Sequence, residues 1–280
     1  AGEPLSLQAH PNSEQARAAF AAAHPSYIDP YHKPELMLAL EDFEALCGFR
    51  PAAESAEILG GLGIAALEPI VGRLAEGDLR GAVTALLTWP DDQREAVVAA
   101  VAERDQLAGR LAGYYPGDVG VVVALLLNHI TLRSGQAVWM PAGTLHAYVR
   151  GSGVEVMASS DNVLRGGLTR KPIDVAELLR VLSFEAREIP IVGQETVAAG
   201  VVTWPVPVPD FRLYRVRLDA QPSIELDLTG PRTVLCLSGA ITVSDKDGEV
   251  KLTGGESAFS SAAGGTMTFA GAGEAYVTSL

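Results

Sequence analysis

Residues 114–171, YYPGDVGVVVALLLNHITLRSGQAVWMPAGTLHAYVRGSGVEVMASSDNVLRGGLTRK, form a succession of short apolar stretches separated by Gly, Pro and Asn. This punctuation is typical of short antiparallel strands joined by tight turns, and it predicts a sandwich or a barrel. The preceding residues, 45–113, are rich in Ala and Leu with helical spacing and Gly or Pro stops, which predicts several short helices. The helices therefore interrupt a β domain.

The flanking segments complete this organisation. Residues 1–42 hold two strand-like pieces, PLSLQAH and ELMLALEDF, on either side of SEQARAAFAAAH, which tolerates a helix. DVAELLRVLSF predicts one closing helix, residues 188–209 are interpreted as an extended connection, and a second set of short strands follows, with a tight turn at Lys246-Asp247-Gly248. We predict a mainly β protein: one β domain from 1–42 and 114–186, an inserted helical module at 43–113, and a second β domain at 187–280.

Composition argues against several classes of protein. Hydrophobic residues make up 48% of the chain, yet no apolar run could span a bilayer and no N-terminal segment would direct secretion, so we expect a soluble, cytoplasmic protein. The net charge of -13 argues against nucleic acid or an anionic membrane as a partner. Cys47 and Cys236 are too few for a disulfide framework, so we expect two reduced, buried thiols.

Side chains with metal-ligand chemistry occur in three strand contexts. Gln8 and His10 lie two residues apart and share one strand face, although a face exposed to water is the alternative. Glu35 follows HKP and opens an apolar strand, where a solvated strand end is the alternative. His146 follows a Pro-Ala-Gly turn, in a context where a structural histidine is more common; His129, in LLLNHITL, is assigned to that structural class. A nitrogen and oxygen donor set suited to zinc or a similar divalent ion would be formed by Gln8, His10, Glu35 and His146 together.

Positive charge is concentrated in SSDNVLRGGLTRK, residues 159–171. Arg165, Arg170 and Lys171 lie beside glycines that allow a ligand to approach the backbone, which suits a phosphate or a developing oxyanion. The alternative is an ordinary loop with solvated charges. Because the chain as a whole is acidic, we favour an anion site.

Four segments carry a family resemblance. PLSLQAHPN, DPYHKPELMLALEDFEALCGFRP, MPAGTLHAYVRG and ASSDNVLRGGLTRKPIDV resemble, in the family's order, the motifs of the type I mannose-6-phosphate isomerases, which are zinc-dependent cupin-fold enzymes. The resemblance extends to about Phe184 and is looser in the C-terminal region, as expected for a cupin-like domain. It implies jelly-roll β-sandwich domains and the reversible isomerisation of mannose 6-phosphate and fructose 6-phosphate through an enediol.

The resemblance also implies roles for individual residues. The expected ligands of one zinc ion per chain are Gln8, His10, Glu35 and His146. The expected catalytic residues are Arg165, Glu155, Lys33 and Tyr148, with Arg165 stabilising the enediolate and the other three as alternatives for proton transfer. The expected substrate-binding residues are Ser6, His32, Asp161 and Lys171. The family further implies a phosphosugar as the small-molecule partner and a monomer.

Three features depart from the family pattern. Arg170 stands where the family usually has Pro, and the segment between His10 and His32 is shorter than in bacterial members. The chain starts just before the Gln8 and His10 pair, so we expect a fragment, or the ordered part of a longer chain, that lacks the first strands of the catalytic barrel.

Two other functions remain as alternatives. A cupin oxygenase would usually need a histidine-rich site for a redox metal, against which the Gln ligand and the basic loop argue, and oxygen uptake by iron-loaded protein would reveal it. A non-catalytic sugar-binding or structural cupin would respond to mannose 6-phosphate in a thermal-shift assay without turning it over.

Overall fold

The computed structural model describes residues 1–186, 188–189, 191–219 and 222–280, and in it the chain forms two compact units. Unit 1 consists of Ala1–Val154 and Ser159–Pro190, and unit 2 of Glu155–Ala158 and Ile191–Leu280. The strands that begin in unit 1 are β1 (Leu7–Ala9), β2 (Glu35–Ala39), β3 (Phe43–Phe49), β4 (Leu127–Leu132), β5 (Ala137–Met140), β6 (His146–Arg150), β7 (Gly153–Met157) and β8 (Leu164–Gly167). The helices of unit 1 are α1 (Ser13–Ala21), α2 (Ala52–Gly61), α3 (Glu68–Ala75), α4 (Leu79–Leu87), α5 (Asp91–Ala102), α6 (Gln106–Tyr114), α7 (Gly120–Ala124) and α8 (Val175–Val181), with a 3₁₀ turn at Ala65–Leu67.

Several helices begin at a side chain that satisfies their first free N–H groups. Asn12 caps α1 by accepting from the backbone N–H of Gln15, whose side chain accepts from the N–H of Asn12 in return. Asp78, Asp105 and Asp174 cap α4, α6 and α8, each by accepting from one backbone N–H in the first turn. These local signals explain why short helices persist in a chain whose dominant pattern is β.

The strands of unit 1 form an antiparallel sheet in the order β4-β3-β6-β1-β8, and β2 pairs with β5 in another sheet. Leu46 and Ala147 point from the first sheet toward the helices and belong to the main apolar cluster of the unit. Cys47 and Tyr148, on the opposite face, pack with residues of β2 and β5 such as Met37. The first sheet therefore packs against apolar residues on both faces, which keeps the central residues of its strands away from bulk water.

Unit 2 is built from β9 (Ile191–Val192), β10 (Glu195–Ala198), β11 (Val201–Thr203), β12 (Arg212–Arg217), β13 (Ser223–Leu226), β14 (Arg232–Asp245), β15 (Gly248–Thr253), β16 (Ser257–Ser260) and β17 (Met267–Ser279), with a 3₁₀ turn at Ala262–Gly264. Its main sheet runs in the order β10-β11-β12-β17-β14-β15, with β13 paired to β17 and β16 to β14. The predicted turn before Gly248 is confirmed, since Asp245 pairs with Gly248 across a two-residue loop. The long strands β14 and β17 enclose an apolar cluster that belongs to this unit alone.

The prediction of a mainly β fold with a helical module is confirmed, but three local predictions were wrong. Residues 43–49, predicted to lie in the helical module, form strand β3, and the helices begin at Ala52. Residues 120–124, predicted to be strand, form α7, because an apolar run that is buried on every side has no periodicity to distinguish helix from strand. The predicted extended connection contains β9, β10 and β11.

Two predictions from composition can be compared with the described residues. Cys47 and Cys236 are both buried and free, as expected. In the described part of the chain, none of the helices combines the length and the apolar character that a membrane span requires.

Candidate active site

Three buried side chains from distant parts of the sequence meet in unit 1. His10 follows β1, Glu35 begins β2 and His146 begins β6, and each is at most 3% exposed. One ligand atom from each lies within 4.8 Å of the others, the one such group of three His, Cys, Asp or Glu residues among those described. His10 Nε2 lies 3.2 Å from Glu35 Oε1, and His146 Nε2 lies 3.1 Å from Glu35 Oε2. We call these three residues the His-Glu-His group.

Backbone carbonyl groups fix the orientation of both imidazole rings. His10 Nδ1 lies 2.8 Å from the carbonyl oxygen of Asn162, and His146 Nδ1 lies 3.0 Å from that of Thr144. A carbonyl oxygen can only accept, so each Nδ1 must carry the proton and donate it. The Nε2 lone pairs are therefore directed at the Glu35 carboxylate.

This arrangement requires positive charge between the rings and the carboxylate. Among the described residues, His10 Nε2 and Glu35 Oε2 are buried without a hydrogen-bond partner, which is costly for polar atoms. Burial alone would raise the pKa of Glu35, but the interactions with His10 and His146 outweigh it and hold the pKa well below the ordinary value. A second proton on a ring would supply the charge, and so would a metal cation held by Nε2 and the carboxylate. The donor set thus fits a divalent ion, and a metal-bound histidine usually donates from its other ring nitrogen to a carbonyl group, as both rings do here.

Cross-strand pairing brings two more predicted residues to this group. Gln8 in β1 lies opposite His146 in β6 and opposite Arg165 in β8, so the three side chains share one face of the sheet. The amide nitrogen of Gln8 lies 3.4 Å from His146 Nε2, and a half-turn of the amide would put its oxygen there. The structure therefore brings Gln8 beside the His-Glu-His group and aligns Arg165 one strand further along.

The remaining residues predicted around the metal lie at different distances from it. Lys33 Nζ lies 3.7 Å from Glu35 Oε1, close enough to add positive charge. The ring of Tyr148 lies 5.9 Å from that of His146 and packs edge-on against Phe43. His32 is partly buried in the segment that leads to Lys33.

The basic loop lines an open cavity of about 650 Å³. Ser6, Arg165, Arg170 and Lys171 all contribute to its wall, where Glu3 is the carboxylate among the described lining residues. The backbone of the loop is held from behind by Asp118, whose carboxylate accepts from the N–H of Thr169 at 3.0 Å and of Gly120 at 2.7 Å. A cavity with three cationic side chains suits an anionic ligand such as a phosphate.

Two predicted site residues have other surroundings. Asp161 is exposed, and its backbone N–H donates to Asp29 Oδ2 at 2.8 Å. Glu155 lies on β7 in unit 2 and is partly buried, and its role stays a prediction. His129, assigned to the structural class, pairs with Glu44 on the neighbouring strand and is not part of the His-Glu-His group.

Sequence reasoning missed Thr144 and Asn162, the two residues whose backbone carbonyl groups orient the histidine rings. Asn162 has the more extensive contacts of the two. It is buried, and its backbone carbonyl group is the one that accepts from His10 Nδ1. The segment SSDN was interpreted as the start of an exposed basic loop, and a backbone contact leaves no trace in residue type. The only sequence signal was its cluster of Ser, Asp and Asn, which commonly bond to nearby backbone groups.

The catalytic part of a known family matches the start of the chain. The family model described as phosphomannose isomerase type I, catalytic domain, matches residues 1–52. These residues contain three of the four predicted metal ligands, Gln8, His10 and Glu35.

Relatives and solved structures match over nearly the whole chain. The chain is 33% identical to the mannose-6-phosphate isomerase of Escherichia coli (strain K12), covering 98% of this chain and 75% of that protein. It is 31% identical to the enzyme of the same name from Rattus norvegicus, covering 90% of this chain and 68% of the relative. A crystal structure of a mutant phosphomannose isomerase from Salmonella typhimurium superposes with a TM-score of 0.89 at 30% identity, covering 100% of this chain and 76% of the other.

Proposed function

The chain belongs to the type I mannose-6-phosphate isomerases, enzymes with the cupin fold, and from this premise we propose that it interconverts mannose 6-phosphate and fructose 6-phosphate with the help of one zinc ion. The observation that carries the proposal is the convergence of His10, Glu35 and His146, with Arg165 aligned on the same sheet face. The basic cavity beside Arg165 supports a phosphorylated substrate.

The proposed ligands of the zinc ion are His10, Glu35, His146 and Gln8. Two imidazole nitrogens with carboxylate and amide oxygens form a donor set that zinc accepts. When bound, the ion would polarise a substrate oxygen and so stabilise negative charge on it. The carbonyl groups of Asn162 and Thr144 keep the two rings in the required tautomer.

The chain's own residues would carry the proton and the developing charge. The reaction moves a proton between C2 and C1, so it needs a base and a donor for the oxygen that becomes negative. We propose Arg165 as that donor, because its guanidinium group stays protonated and donates in a fixed geometry. Glu155 is the proposed base, with Lys33 and Tyr148 as the alternatives for proton transfer.

Substrate binding is assigned to the cavity wall and the segment before Glu35. Lys171 and Ser6 would bind the phosphate or sugar hydroxyl groups, and His32 and Asp161 would complete the pocket. A division into a catalytic cupin domain, a helical insertion that begins at Ala52 instead of residue 43, and a C-terminal cupin-like domain is part of the same proposal, as is a monomeric state.

A pair of histidine variants tests the metal assignment. We expect His146→Ala to lose bound zinc and isomerase turnover together, since it removes a ligand atom from a buried group. His129→Ala is the matched control, because it removes a histidine of the same unit that pairs with Glu44 instead. Zinc content by elemental analysis and coupled-assay turnover are measured for both. Near-normal zinc content and turnover in His146→Ala would refute the assignment of His146 as a zinc ligand.

Arg165→Ala separates chemistry from metal binding. We expect retained zinc with turnover lowered by a factor of about 10² to 10³, the usual loss for one oxyanion-stabilising donor. Loss of zinc in this variant would indicate that Arg165 supports the structure of β8 instead.

A further inference from the structure

Asn162 lies in the loop before β8 and is 1% exposed. Its backbone carbonyl oxygen accepts from His10 Nδ1 at 2.8 Å, so the position of this one peptide group determines the direction of the His10 ring. His10 Nε2 in turn lies 3.2 Å from Glu35 Oε1. A displacement of the Asn162 backbone would therefore be transmitted to the His-Glu-His group.

The side chain of Asn162 binds a different segment of the chain. Its Oδ1 accepts from the backbone N–H of Ile28 at 2.9 Å, while its Nδ2 donates to the carbonyl oxygens of Asp29 at 2.8 Å and Tyr31 at 2.9 Å. Oxygen facing an N–H and nitrogen facing two carbonyl groups fix the orientation of the amide. The segment it holds runs directly on through residues 32–34 to Glu35.

Asp29 binds the two segments together from the other side. Its carboxylate accepts from the hydroxyl group of Ser160 at 2.9 Å and from the backbone N–H of Asp161 at 2.8 Å. Burial raises the pKa of Asp29, but the hydrogen bonds from Asp161, Tyr31 and Ser160 outweigh it and lower the pKa. The hydrogen bonds of Asp29 and Asn162 thus join residues 28–31 to residues 160–162 from both sides.

We propose that Asn162 is a positioning residue for the metal centre, because its carbonyl group orients His10 while its amide holds the segment that carries Glu35. His10 and Glu35 are 25 positions apart in sequence and belong to separate strand segments. The distance between them therefore depends on contacts that link those two segments. Asn162 also precedes Arg165 by three residues, which ties the proposed oxyanion donor to the same bridge. This inference rests on the proposed function only in requiring that the His-Glu-His group binds metal.

The test is metal affinity in variants of the full protein. Asn162→Ala keeps the carbonyl group but loses all hydrogen bonds of the side chain to residues 28–31, and Asn162→Ser is a milder change for use if the Ala variant does not fold. Binding of Zn²⁺ is measured by chelator competition well below the unfolding temperature, and the visible spectrum of the Co²⁺-loaded protein reports ligand geometry. We expect affinity to fall by a factor of about 10, the lower end of the effect seen when the group bonded to a metal-binding histidine is lost, because the Asn162 carbonyl group is displaced here and not removed, and we expect an altered Co²⁺ spectrum.

Asn128→Ala is the matched control. Its side-chain nitrogen donates to the backbone carbonyl oxygens of Cys47 at 3.1 Å and Gly48 at 3.2 Å in the same unit, so its loss should also lower thermal stability. We expect its Zn²⁺ affinity and Co²⁺ spectrum to match the parent. If Asn162 variants lose thermal stability but keep both metal properties, Asn162 has a merely structural role and the inference is overturned.

The outcome can be separated from the fate of the proposed function. Isomerase turnover of the parent protein is measured alongside its Zn²⁺ affinity. If the parent binds Zn²⁺ without isomerising mannose 6-phosphate, the function fails, and the Asn162 effect on affinity still decides the inference. If the parent isomerises the sugar with Asn162 variants unchanged in affinity, the inference alone fails, and a parent that binds no Zn²⁺ overturns it as well.

Discussion

Replacing Glu35 by Gln is expected to make the thermal stability of unit 1 independent of zinc. The Glu35 carboxylate is 1% exposed, with imidazole nitrogens 3.2 and 3.1 Å away. The protons on Nδ1 are directed at carbonyl groups, so the carboxylate faces the Nε2 atoms of both rings. The amide of Gln has the same size without the charge, and it can donate to one Nε2.

Two effects follow from this geometry. In the presence of a chelator, the Glu35→Gln variant should unfold at a lower temperature than the parent, because the contacts with His10 and His146 that hold the pKa of Glu35 below its ordinary value favour the charged carboxylate in the folded state, and the amide loses that contribution. Zinc at a concentration of about 100 times its Kd should stabilise the parent by about 2.7 kcal/mol, which raises the unfolding temperature of a unit of this size by roughly 5–11 °C. The variant should show no such rise.

Differential scanning calorimetry at pH 8, with EDTA and then with zinc, measures both effects. Glu44→Gln is the matched control, because Glu44 also faces a histidine, His129, but lies outside the His-Glu-His group. We expect the control to keep the full zinc-dependent rise. A zinc-dependent rise in Glu35→Gln, or an unfolding temperature in EDTA as high as that of the parent, would refute the reasoning.

Two further predictions concern the support of the site. Burial raises the pKa of Glu177, but bonds from Arg180 and Tyr27 outweigh it and lower the pKa, so its contribution to stability is present above its unfolded-state pKa and lost as the pH falls through the folded-state value. Urea unfolding should therefore show Glu177→Gln less stable than the parent by about 1–3 kcal/mol at pH 7, with the difference shrinking below about pH 4, and a constant difference would contradict this. In Gly120→Ala the new methyl group would lie 2.6 Å from Gly167 Cα and Leu168 N, so we expect the free energy of unfolding to fall by about 1–3 kcal/mol. Because Leu168 belongs to the basic loop, we also expect a higher KM for mannose 6-phosphate. Gly72→Ala, with open space around its α-carbon, should leave KM unchanged, and an equal rise in both variants would exclude a local effect on the basic loop.

The sequence predicts the site better than the elements that build it. Gln8, His10, Glu35 and His146 were found because strand periodicity and family motifs both depend on residue type. The structure brings them together as expected, although only pairing across strands could show that Arg165 aligns with Gln8.

The errors have a common physical cause. Residues 120–124 and 43–49 are apolar on nearly all sides, and when both faces of an element are buried, neither a helical nor a strand period remains visible. Asn162 was missed because its contact with His10 is made by the backbone, which every residue type possesses. Local sequence therefore indicates which side chains offer ligand atoms, and long-range packing determines which groups hold those side chains in place.

The position of β1 in its sheet has a consequence for biosynthesis. This strand lies between β6 and β8, and Gln8 is 138 residues away from its neighbour His146 along the chain. Closing so long a loop is slow, and a nascent chain must keep β1 unpaired until both partner strands have left the ribosome. Assembly of the His-Glu-His group would therefore mark the completion of this sheet during synthesis.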